Sequence, residues 1–245
     1  MSEQLLAVIS DVHGNIEALD RVLEDIDRRG VTDVVCLGDA IGYGPEPEAC
    51  VRRIRERRMP MVLGNHEQGL KSAKYLAWFN GPARQALTQT RKLLEEETVA
   101  WLRERPVSLE RHGMLFVHGC PPASVTDYLY AMDEEDLAAC FRSYPQRLAF
   151  AGHTHELNLY SYDGAEARRE EFWDKPVQLD PARRYIVNAG AVGQPRDQDV
   201  RAKYVLLDRV TQVLQAVFVE YDIRKTAEAI RALGFPEAYA RRLGG

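Results

Sequence analysis

Five short clusters of Asp, Asn and His punctuate the first two thirds of the chain, and most of them follow an apolar run of β-prone residues. Five of the six histidines fall inside these clusters, and only His112 lies outside them. Polar side chains at the carboxyl ends of strands reach one crevice in an α/β sheet. The clusters are therefore expected to converge in space. They read Asp11-Val12-His13, Gly38-Asp39, Gly64-Asn65-His66, His118-Gly119 and Gly152-His153-Thr154-His155.

The amino-terminal part of the chain predicts alternating strands and helices. A strand at residues 5–10 precedes a helix that Asn15 caps and Gly30 ends, and a second strand follows at 33–37. Such a βαβ unit has parallel strands and a right-handed crossover. The other elements predicted in this part are a helix at 47–58, a short strand at 61–63 and a mostly helical stretch at 82–104.

After His155 the pattern changes to short β-prone segments with little helix between them. A run of strands packed on a βαβ half predicts a second sheet. One domain over residues 1–245 is expected from the length of the chain. The predicted strands from residue 113 onward are 113–117, 148–151, 157–162, 168–173, 184–188, 203–208 and 212–220, with helices near 133–141 and 223–233 and a final helical turn.

The composition predicts an ordinary cytoplasmic protein. Hydrophobic residues make up 45% of the chain and charged residues 28%, with a net charge of −5 that argues against a general nucleic-acid binder. The amino terminus shows no signal-peptide pattern, and no apolar run approaches the roughly 20 residues that span a bilayer. The four cysteines are widely separated and form no C-x-x-C pair, which favours a reduced compartment.

The clusters offer oxygen and nitrogen ligands of the kind that hold divalent metal ions. A spacing of two places Asp11 and His13 on one face of a strand, and the same holds for His153 and His155. This ligand set contains no thiolate and favours Mn, Fe, Zn, Co or Ni over Mg or Ca. A pair of such ions attracts phosphate oxygens. Each motif taken alone, however, is more often a turn than a metal site.

Taken together and in this order, the clusters resemble the fingerprint of the calcineurin-like metallophosphoesterase superfamily, which is D-x-H, G-D, G-N-H-[DE], V-H-G and G-H-x-H. The chain reads DVH, GD, GNHE, FVHG and GHTH, and the similarity continues to NAGAVGQPR at residues 188–196. It is most similar to the small bacterial and archaeal members that resemble phosphodiesterases. Members of that branch are often described as diadenosine-tetraphosphatase-like.

The resemblance implies an α/β fold in which a two-sheet β-sandwich is flanked by helices. It also implies two divalent transition-metal ions, with manganese expected first and Fe, Zn, Co or Ni as alternatives. A metal-bridging hydroxide would attack phosphorus, Asp39 would bridge the metals, and His66 would act beside the leaving-group oxygen without being a ligand. The implied ligands are Asp11, His13, Asp39 and His155 for the first metal, and Asp39, Asn65, His118 and His153 for the second.

Three residues are predicted to contact the substrate. Asn65 lies in the GNHE motif, and Tyr43 lies in a turn expected beside the site. Arg196 either contacts a substrate phosphate, whose geometry its fork matches, or forms a structural salt bridge. Asn188 either lines the pocket or holds a turn, and the turn is favoured.

Among the positions that depart from the pattern of close relatives, which include Ala191 in place of a frequent Ser, two bear on the predicted centre. Cys120 stands where these often have Ser, which predicts a thiol beside the second metal. Glu67 stands where this branch more often has Asp, and it is expected to orient the His66 imidazole through a longer arm. Neither departure removes a ligand.

The predicted function is hydrolysis of a phosphodiester, with a small phosphoester or nucleotide-like molecule as substrate. The alternatives are a phosphomonoesterase, a dinucleoside polyphosphate hydrolase, and a non-catalytic scaffold with the same fold. The protein phosphatases extend the second motif to G-D-x-x-D-R-G, and the segment Gly38–Gly44 lacks that Asp-Arg pair, which counts against monoesters. A full ligand set together with His66 counts against a scaffold. No membrane or nucleic-acid partner is expected, and a homo-oligomer is left open.

Overall fold

The computed structural model describes residues 4–170 and 172–244, which form two sheets lying against each other. The first sheet has five strands in the order β2-β1-β10-β11-β8, and the second has six in the order β3-β4-β5-β9-β6-β7. In chain order the strands are β1 (Leu5–Ile9), β2 (Asp33–Cys36), β3 (Ser108–Arg111), β4 (Met114–Val117), β5 (Leu148–Ala151), β6 (Leu157–Tyr162), β7 (Ala167–Glu170), β8 (Val177–Gln178), β9 (Arg184–Ala189), β10 (Ala202–Asp208) and β11 (Val213–Val219).

Helices cover the outer faces of the two sheets, so the predicted two-sheet sandwich flanked by helices is confirmed. None of the helices in the described part of the chain is long and apolar enough to cross a membrane. The helices are α1 (Ile16–Arg28), α2 (Pro47–Glu56), α3 (Asn65–Gly69), α4 (Ala73–Leu76), α5 (Gly81–Lys92), α6 (Glu96–Arg103), α7 (Glu134–Arg142), α8 (Ile223–Ala232) and α9 (Glu237–Arg242), with a 3-10 turn at Leu129–Ala131.

The opening βαβ unit forms as predicted, with β1 and β2 paired in parallel. The Asn15 side chain accepts a hydrogen bond from the Ala18 nitrogen at 3.1 Å and so caps α1. The helix buries Leu19, Leu23 and neighbouring residues on one face. This unit directs the chain after β1 and β2 to the same edge of the first sheet.

The two sheets are held together by a core of alternating strand residues. Leu6 and Val8 of β1 point toward the second sheet, where they join a cluster that contains Phe116 and Phe150. The two phenyl rings are stacked with centroids 5.2 Å apart. Each such fully buried side chain contributes roughly 1.5–3 kcal/mol of transfer free energy. The strands that deliver the polar clusters are therefore anchored in the most buried part of the molecule.

Several predicted elements differ from the structure. The strand predicted at 61–63 is a single bridge between Cys36 and Met61, because the chain turns into α3 directly after it. The stretch predicted to be mostly helical at 82–104 is so, as the two helices α5 and α6 with a break after Lys92. The predicted second sheet forms, but the late strands divide between the two sheets: β6, β7 and β9 lie in the second sheet, and β8, β10 and β11 join the sheet of β1. The strand predicted at 168–173 ends at Glu170, and residue 171 lies outside the described residues.

Candidate metal centre

The predicted ligands converge at one edge of the two sheets. Asp11 and His13 follow β1, Asp39 follows β2, His118 follows β4 directly, and the other two histidines follow β5. Asn65 is the first residue of α3. Six of these seven side chains are buried, and Asn65 is half-buried. The sequence clusters thus form one site, as expected from strand-end positions.

One group of ligand atoms surrounds the Asp11 carboxylate. Asp11 Oδ1 lies 3.6 Å from His13 Nε2 and 3.3 Å from His155 Nε2. The two imidazole Nε2 atoms are only 3.2 Å apart. These three side chains offer ligand atoms that all lie within 4.8 Å of one another. Their spacing fits one metal ion held between them.

A second group surrounds the Asp39 carboxylate. Asp39 Oδ2 lies 3.3 Å from His118 Nε2, and that nitrogen lies 3.0 Å from Asn65 Oδ1. Ligand atoms of Asp39, His118 and His153 all lie within 4.8 Å of one another. Asp39 Oδ2 is also 3.6 Å from His13 Nε2 of the first group. Asp39 therefore lies between the two groups, as a bridging ligand would.

A main-chain carbonyl orients each of the four histidine rings that were predicted as ligands. A carbonyl oxygen only accepts hydrogen bonds, so the ring nitrogen facing it carries the proton and the other nitrogen keeps its lone pair. The free nitrogen is Nε2 in three rings and Nδ1 in His153. The contacts are His13 Nδ1 to Ile41 O at 2.9 Å, His118 Nδ1 to Leu37 O at 2.7 Å, His155 Nδ1 to Gln194 O at 2.6 Å and His153 Nε2 to Thr126 O at 3.1 Å.

The donor set fits two divalent metal ions. The lone pairs of His13 Nε2 and His155 Nε2 face each other, and the buried Asp11 Oδ1 beside them accepts no hydrogen bond. On the other side, His118 Nε2 faces two acceptor oxygens. Lone pairs and acceptors directed at common points repel unless a cation lies between them. These buried His/Asp clusters are consistent with a binuclear metal site.

The protonation states suit metal ligands. Although burial opposes it, nearby imidazoles hold the pKa of Asp11 and of Asp39 below the usual range, so both are charged. Burial lowers the pKa of His155, and it lowers that of His153 to about 4, so both rings are neutral. Despite its burial, His118 has a pKa raised to about 9 by Asp39. A metal ion placed there replaces that proton.

Left-handed backbone carries five of the seven predicted ligands. The φ angles are +53° at Asp11, +50° at His13, +51° at Asp39, +67° at His153 and +63° at His155. Strained backbone of this kind costs of order 1–3 kcal/mol per residue and is concentrated at functional sites. The pairs converge because each lies in a tight turn beyond its strand. The predicted reason, a shared strand face, was wrong.

Gly152 allows the loop after β5 to approach the first cluster. A Cβ atom at this position would lie 2.0 Å from Ser10 Oγ and 2.8 Å from Asp11 Oδ2. In its absence, Asp11 Oδ2 accepts hydrogen bonds from Ser10 Oγ at 2.6 Å and from the His153 nitrogen at 3.0 Å. The side-chain nitrogen of Asn188 donates to the Gly152 carbonyl at 2.7 Å. Asn188 therefore holds this turn, as was favoured from the sequence.

His66 differs from the four predicted ligand histidines. Its Nδ1 is buried without a hydrogen-bond partner, and its Nε2 lies 3.9 Å from Asp39 Oδ2. The ring packs edge-on against Tyr43 and Phe79, with centroids 4.6 and 4.9 Å away. Burial lowers the pKa of His66 to about 3. Its ligand atom lies within 4.8 Å of those of His13 and Asp39, but no carbonyl fixes its tautomer as one does in the four predicted ligand rings.

Two sequence interpretations are corrected by these contacts. The Glu67 carboxylate does not touch the His66 ring, since it accepts hydrogen bonds from the main-chain nitrogens of Asp39, Ala40 and Gly64. The Cys120 thiol points into the core beside β4 and donates to the Asp127 carbonyl at 3.2 Å. Burial raises the pKa of this thiol, which makes it a poor metal ligand.

A cavity of about 610 Å³ opens from the metal centre. Tyr43 and Arg196, both predicted to contact substrate, line it together with Asn65 and His66. Arg196 Nη2 lies 3.5 Å from the Tyr43 hydroxyl, and no carboxylate of the described residues forms a salt bridge with Arg196. The alternative of a structural salt bridge at Arg196 is therefore not observed.

The sequence interpretation missed most of the remaining cavity wall. These residues come from the α3–α5 segment, from the loop before the 3-10 turn and from α9. They belong to no motif, and only the tertiary fold brings them to the site. They are Gln68, Tyr75, Trp78, Phe79, Asn80, Pro82, Ala83, Thr126, Tyr128, Ala238, Tyr239 and Arg242.

Comparison with known proteins places this site in a family. Residues 5–212 match the family model of the calcineurin-like phosphoesterase superfamily domain. An uncharacterised protein of Methanocaldococcus jannaschii is 35% identical over 99% of this chain and 98% of its own length.

Solved structures agree with that match. The crystal structure of a metallophosphoesterase from Sphaerobacter thermophilus is 33% identical, with a TM-score of 0.84 and 98% of each chain covered. A hypothetical protein of Pyrococcus horikoshii has the same fold, with a TM-score of 0.74, 98% of each chain covered and 19% identity.

Proposed function

Because the chain belongs to the calcineurin-like phosphoesterase superfamily and is a metallophosphoesterase with buried His/Asp clusters, we propose that it hydrolyses phosphodiesters with two bound divalent metal ions. The observation that carries the proposal is the pair of ligand groups that meet at Asp39. The cavity beside them has room for both organic groups of a diester.

In this proposal Asp11, His13, Asp39 and His155 hold the first ion, and Asp39, Asn65, His118 and His153 hold the second. The free ring nitrogen of each histidine and the unpartnered Asp11 Oδ1 support the assignment. Manganese is the expected metal, with Fe, Zn, Co or Ni as alternatives for the same nitrogen and oxygen donors. When bound, two such ions would supply an activated water as the nucleophile for displacement at phosphorus and would neutralise charge on the phosphate.

His66 is proposed to interact with the leaving-group oxygen. Its ring lines the cavity beside Asp39 and is held by aromatic neighbours rather than by a carbonyl. Because burial keeps the imidazole neutral, His66 can donate one ring N–H to a developing oxyanion. It therefore acts as a hydrogen-bond donor in preference to a cationic acid.

The cavity wall favours a substrate with a planar group, such as a nucleotide. Tyr75, Trp78, Phe79 and Tyr128 line it, and the Trp78 side chain is 61% exposed although large aromatic residues are usually covered. Aromatic faces bind nucleobases by stacking without regard to sequence. We therefore propose a small nucleotide-like phosphodiester as the substrate class.

The proposal is tested with metal-stripped protein reloaded with Mn²⁺ and assayed on three substrates. We expect hydrolysis of bis(p-nitrophenyl) phosphate that is absent after stripping and restored by Mn²⁺. Reloading with Ca²⁺ is the control, since that ion prefers oxygen ligands and a larger coordination number. Faster cleavage of p-nitrophenyl phosphate would favour the monoesterase, and cleavage of diadenosine tetraphosphate alone would favour the polyphosphate hydrolase. If none of the three substrates is hydrolysed, the alternative of a non-catalytic scaffold is favoured.

A further inference from the structure

Two arginines from distant parts of the chain share the cavity that opens from the metal centre. Arg196 lies in the loop between β9 and β10, and Arg242 is the last residue of α9. They are the cationic side chains among the described residues that line this cavity. Neither forms a salt bridge with a described carboxylate. Among the described residues, these two positive charges at the cavity therefore have no carboxylate paired with them in a salt bridge.

Neighbouring arginines of the same region are paired. Arg241, which precedes Arg242 in α9, lies 3.6 Å from Glu237, and Arg231 lies 2.9 Å from the same carboxylate. Burial and the nearby Arg196 lower the pKa of Arg242. Two guanidinium groups placed close together without a carboxylate repel each other unless an anion joins them.

Aromatic contacts fix both arginines on the same wall as the metal ligands. Arg196 Nη2 approaches the Tyr43 hydroxyl, and the buried Arg196 Nε has no hydrogen-bond partner. Arg242 lies over the Tyr239 ring at 5.9 Å. Tyr239 in turn stacks on Tyr43, with centroids 4.4 Å apart. Arg196 is thus held against the aromatic wall of the cavity, and the exposed side chain of Arg242 lies at its edge.

Helix α9 is tied to the metal centre by Gln194. The Gln194 side-chain nitrogen donates to the Tyr239 carbonyl at 3.1 Å, and the main-chain carbonyl of Gln194 accepts a hydrogen bond from His155 Nδ1. Helix α9 lies beyond residues 5–212, which match the family model. Arg242 therefore lies outside the part of the chain that matches the family model, although the relative from Methanocaldococcus jannaschii aligns over 99% of the chain.

The balance of charge indicates what these arginines bind. In the proposed centre, two divalent ions would bring four positive charges. Two aspartates, an anionic nucleophile and the single negative charge of a diester would balance them. The charges of Arg196 and Arg242 then stay uncompensated. A phosphate group carries up to two negative charges and matches the fork of a guanidinium.

We propose that Arg196 and Arg242 form a second anion subsite, which binds a phosphate group that the substrate carries in addition to its scissile phosphodiester. The subsite rests on the proposed function, because it extends the same cavity. It makes nucleotides that carry a second phosphate group better ligands than nucleotides with one.

Calorimetric titration of the manganese-loaded full chain with AMP, ADP and adenosine 3′,5′-bisphosphate tests this subsite. We expect at least one of the two doubly phosphorylated nucleotides to bind about tenfold or more tightly than AMP, as one charge-assisted hydrogen bond provides. Arg242→Gln should remove this gain, and Arg196→Gln should do the same. Arg241→Gln is the matched control, since it removes the same charge from the same helix outside the cavity, and it should keep the gain.

The subsite is overturned if neither second phosphate tightens binding, or if the gain persists in either Arg242→Gln or Arg196→Gln. Hydrolysis of bis(p-nitrophenyl) phosphate by the same preparation separates this outcome from failure of the proposed function. Hydrolysis without the gain rejects the subsite alone. An arginine-dependent gain without hydrolysis supports the subsite and rejects the proposed reaction.

Discussion

The Glu67 carboxylate lies 2.8 Å from the main-chain nitrogen of Asp39, the residue that faces both ligand groups. The same carboxylate accepts hydrogen bonds from Ala40 at 2.9 Å and Gly64 at 2.9 Å. One fully buried side chain thus joins the loop after β2 to the start of α3. The position of the Asp39 main chain therefore depends on Glu67, a residue that is not itself a predicted ligand.

Replacing Glu67 with Gln should therefore destabilise the protein and weaken metal binding. The amide nitrogen of Gln cannot accept a hydrogen bond, so at least one buried N–H loses its partner, at a cost of about 1–3 kcal/mol. Urea unfolding of metal-free protein measures this change. Glu95→Gln is the control, because Glu95 is exposed and its side chain makes no cap hydrogen bond. Equal stability of both variants would contradict this role of Glu67.

The number of bound metal ions should differ between the variants Asp39→Asn and Asp11→Asn. Asp39→Asn removes the charge that both ligand groups share, so we expect loss of both ions on gel filtration. Asp11→Asn should release mainly one ion, since Asp11 faces only the first group. Elemental analysis of the filtered proteins gives the result. The same stoichiometry in both variants would exclude a bridging Asp39.

His66→Asn should lower kcat on the order of 10²–10⁴-fold while metal content stays unchanged. The loss should be larger for a diester with a poor leaving group, such as an alkyl ester, than for a p-nitrophenyl ester. A p-nitrophenolate leaving group stabilises its negative charge by delocalisation. It therefore depends less than an alkoxide on a hydrogen bond from the His66 N–H. Loss of one metal ion would instead make His66 a ligand.

Asp208 should contribute to stability in a pH-dependent way. Hydrogen bonds from the Thr211 nitrogen, the Gln4 side chain and the Val210 nitrogen lower the pKa of Asp208 to about 2. A depressed carboxyl pKa stabilises the fold above the unfolded value of roughly 3.9, and this contribution is lost as the pH falls toward 2. Asp208→Asn should therefore cost more stability at neutral pH than near pH 3, as urea unfolding at both pH values measures. A pH-independent cost would contradict this assignment.

Arg58 offers a stability test far from the site. This exposed residue follows α2 with φ +52°, a conformation that glycine adopts without strain. We expect Arg58→Gly to raise the free energy of unfolding by about 0.5–1 kcal/mol. Arg52→Gly, in the exposed middle of the same helix, should lower it by a similar amount. Thermal unfolding of the two variants would show shifts of opposite sign.

The centre was predictable because its residues occur in motifs at strand ends. Asp11, His13 and Asp39 could be located from the sequence, and the structure brings them together. Their left-handed backbone could not be foreseen, since residues other than glycine rarely adopt positive φ and local sequence does not demand it here. Glu67 was located correctly, but its partners depend on the separation of two loops that only the fold sets.

The substrate side of the cavity could not be predicted in the same way. Trp78 and Arg242 are separated by more than half the chain and share no spacing rule. Trp78 lies in the turn after α4, and large aromatic residues are usually covered, so nothing in the local sequence marks it as a cavity residue. The pairing of late strands with β1 carries the chain end to the site, and that pairing is a property of the tertiary fold.

All the predicted ligands lie within residues 5–212, whereas helix α9 lies beyond them. The predicted metal ligands and one wall of the cavity thus lie in separate stretches of the sequence. Substitutions in α9 can reshape that wall without altering a predicted metal ligand. Two relatives with identical Asp and His clusters can consequently accept different substrates. Membership of this family therefore indicates the type of reaction better than it indicates the substrate.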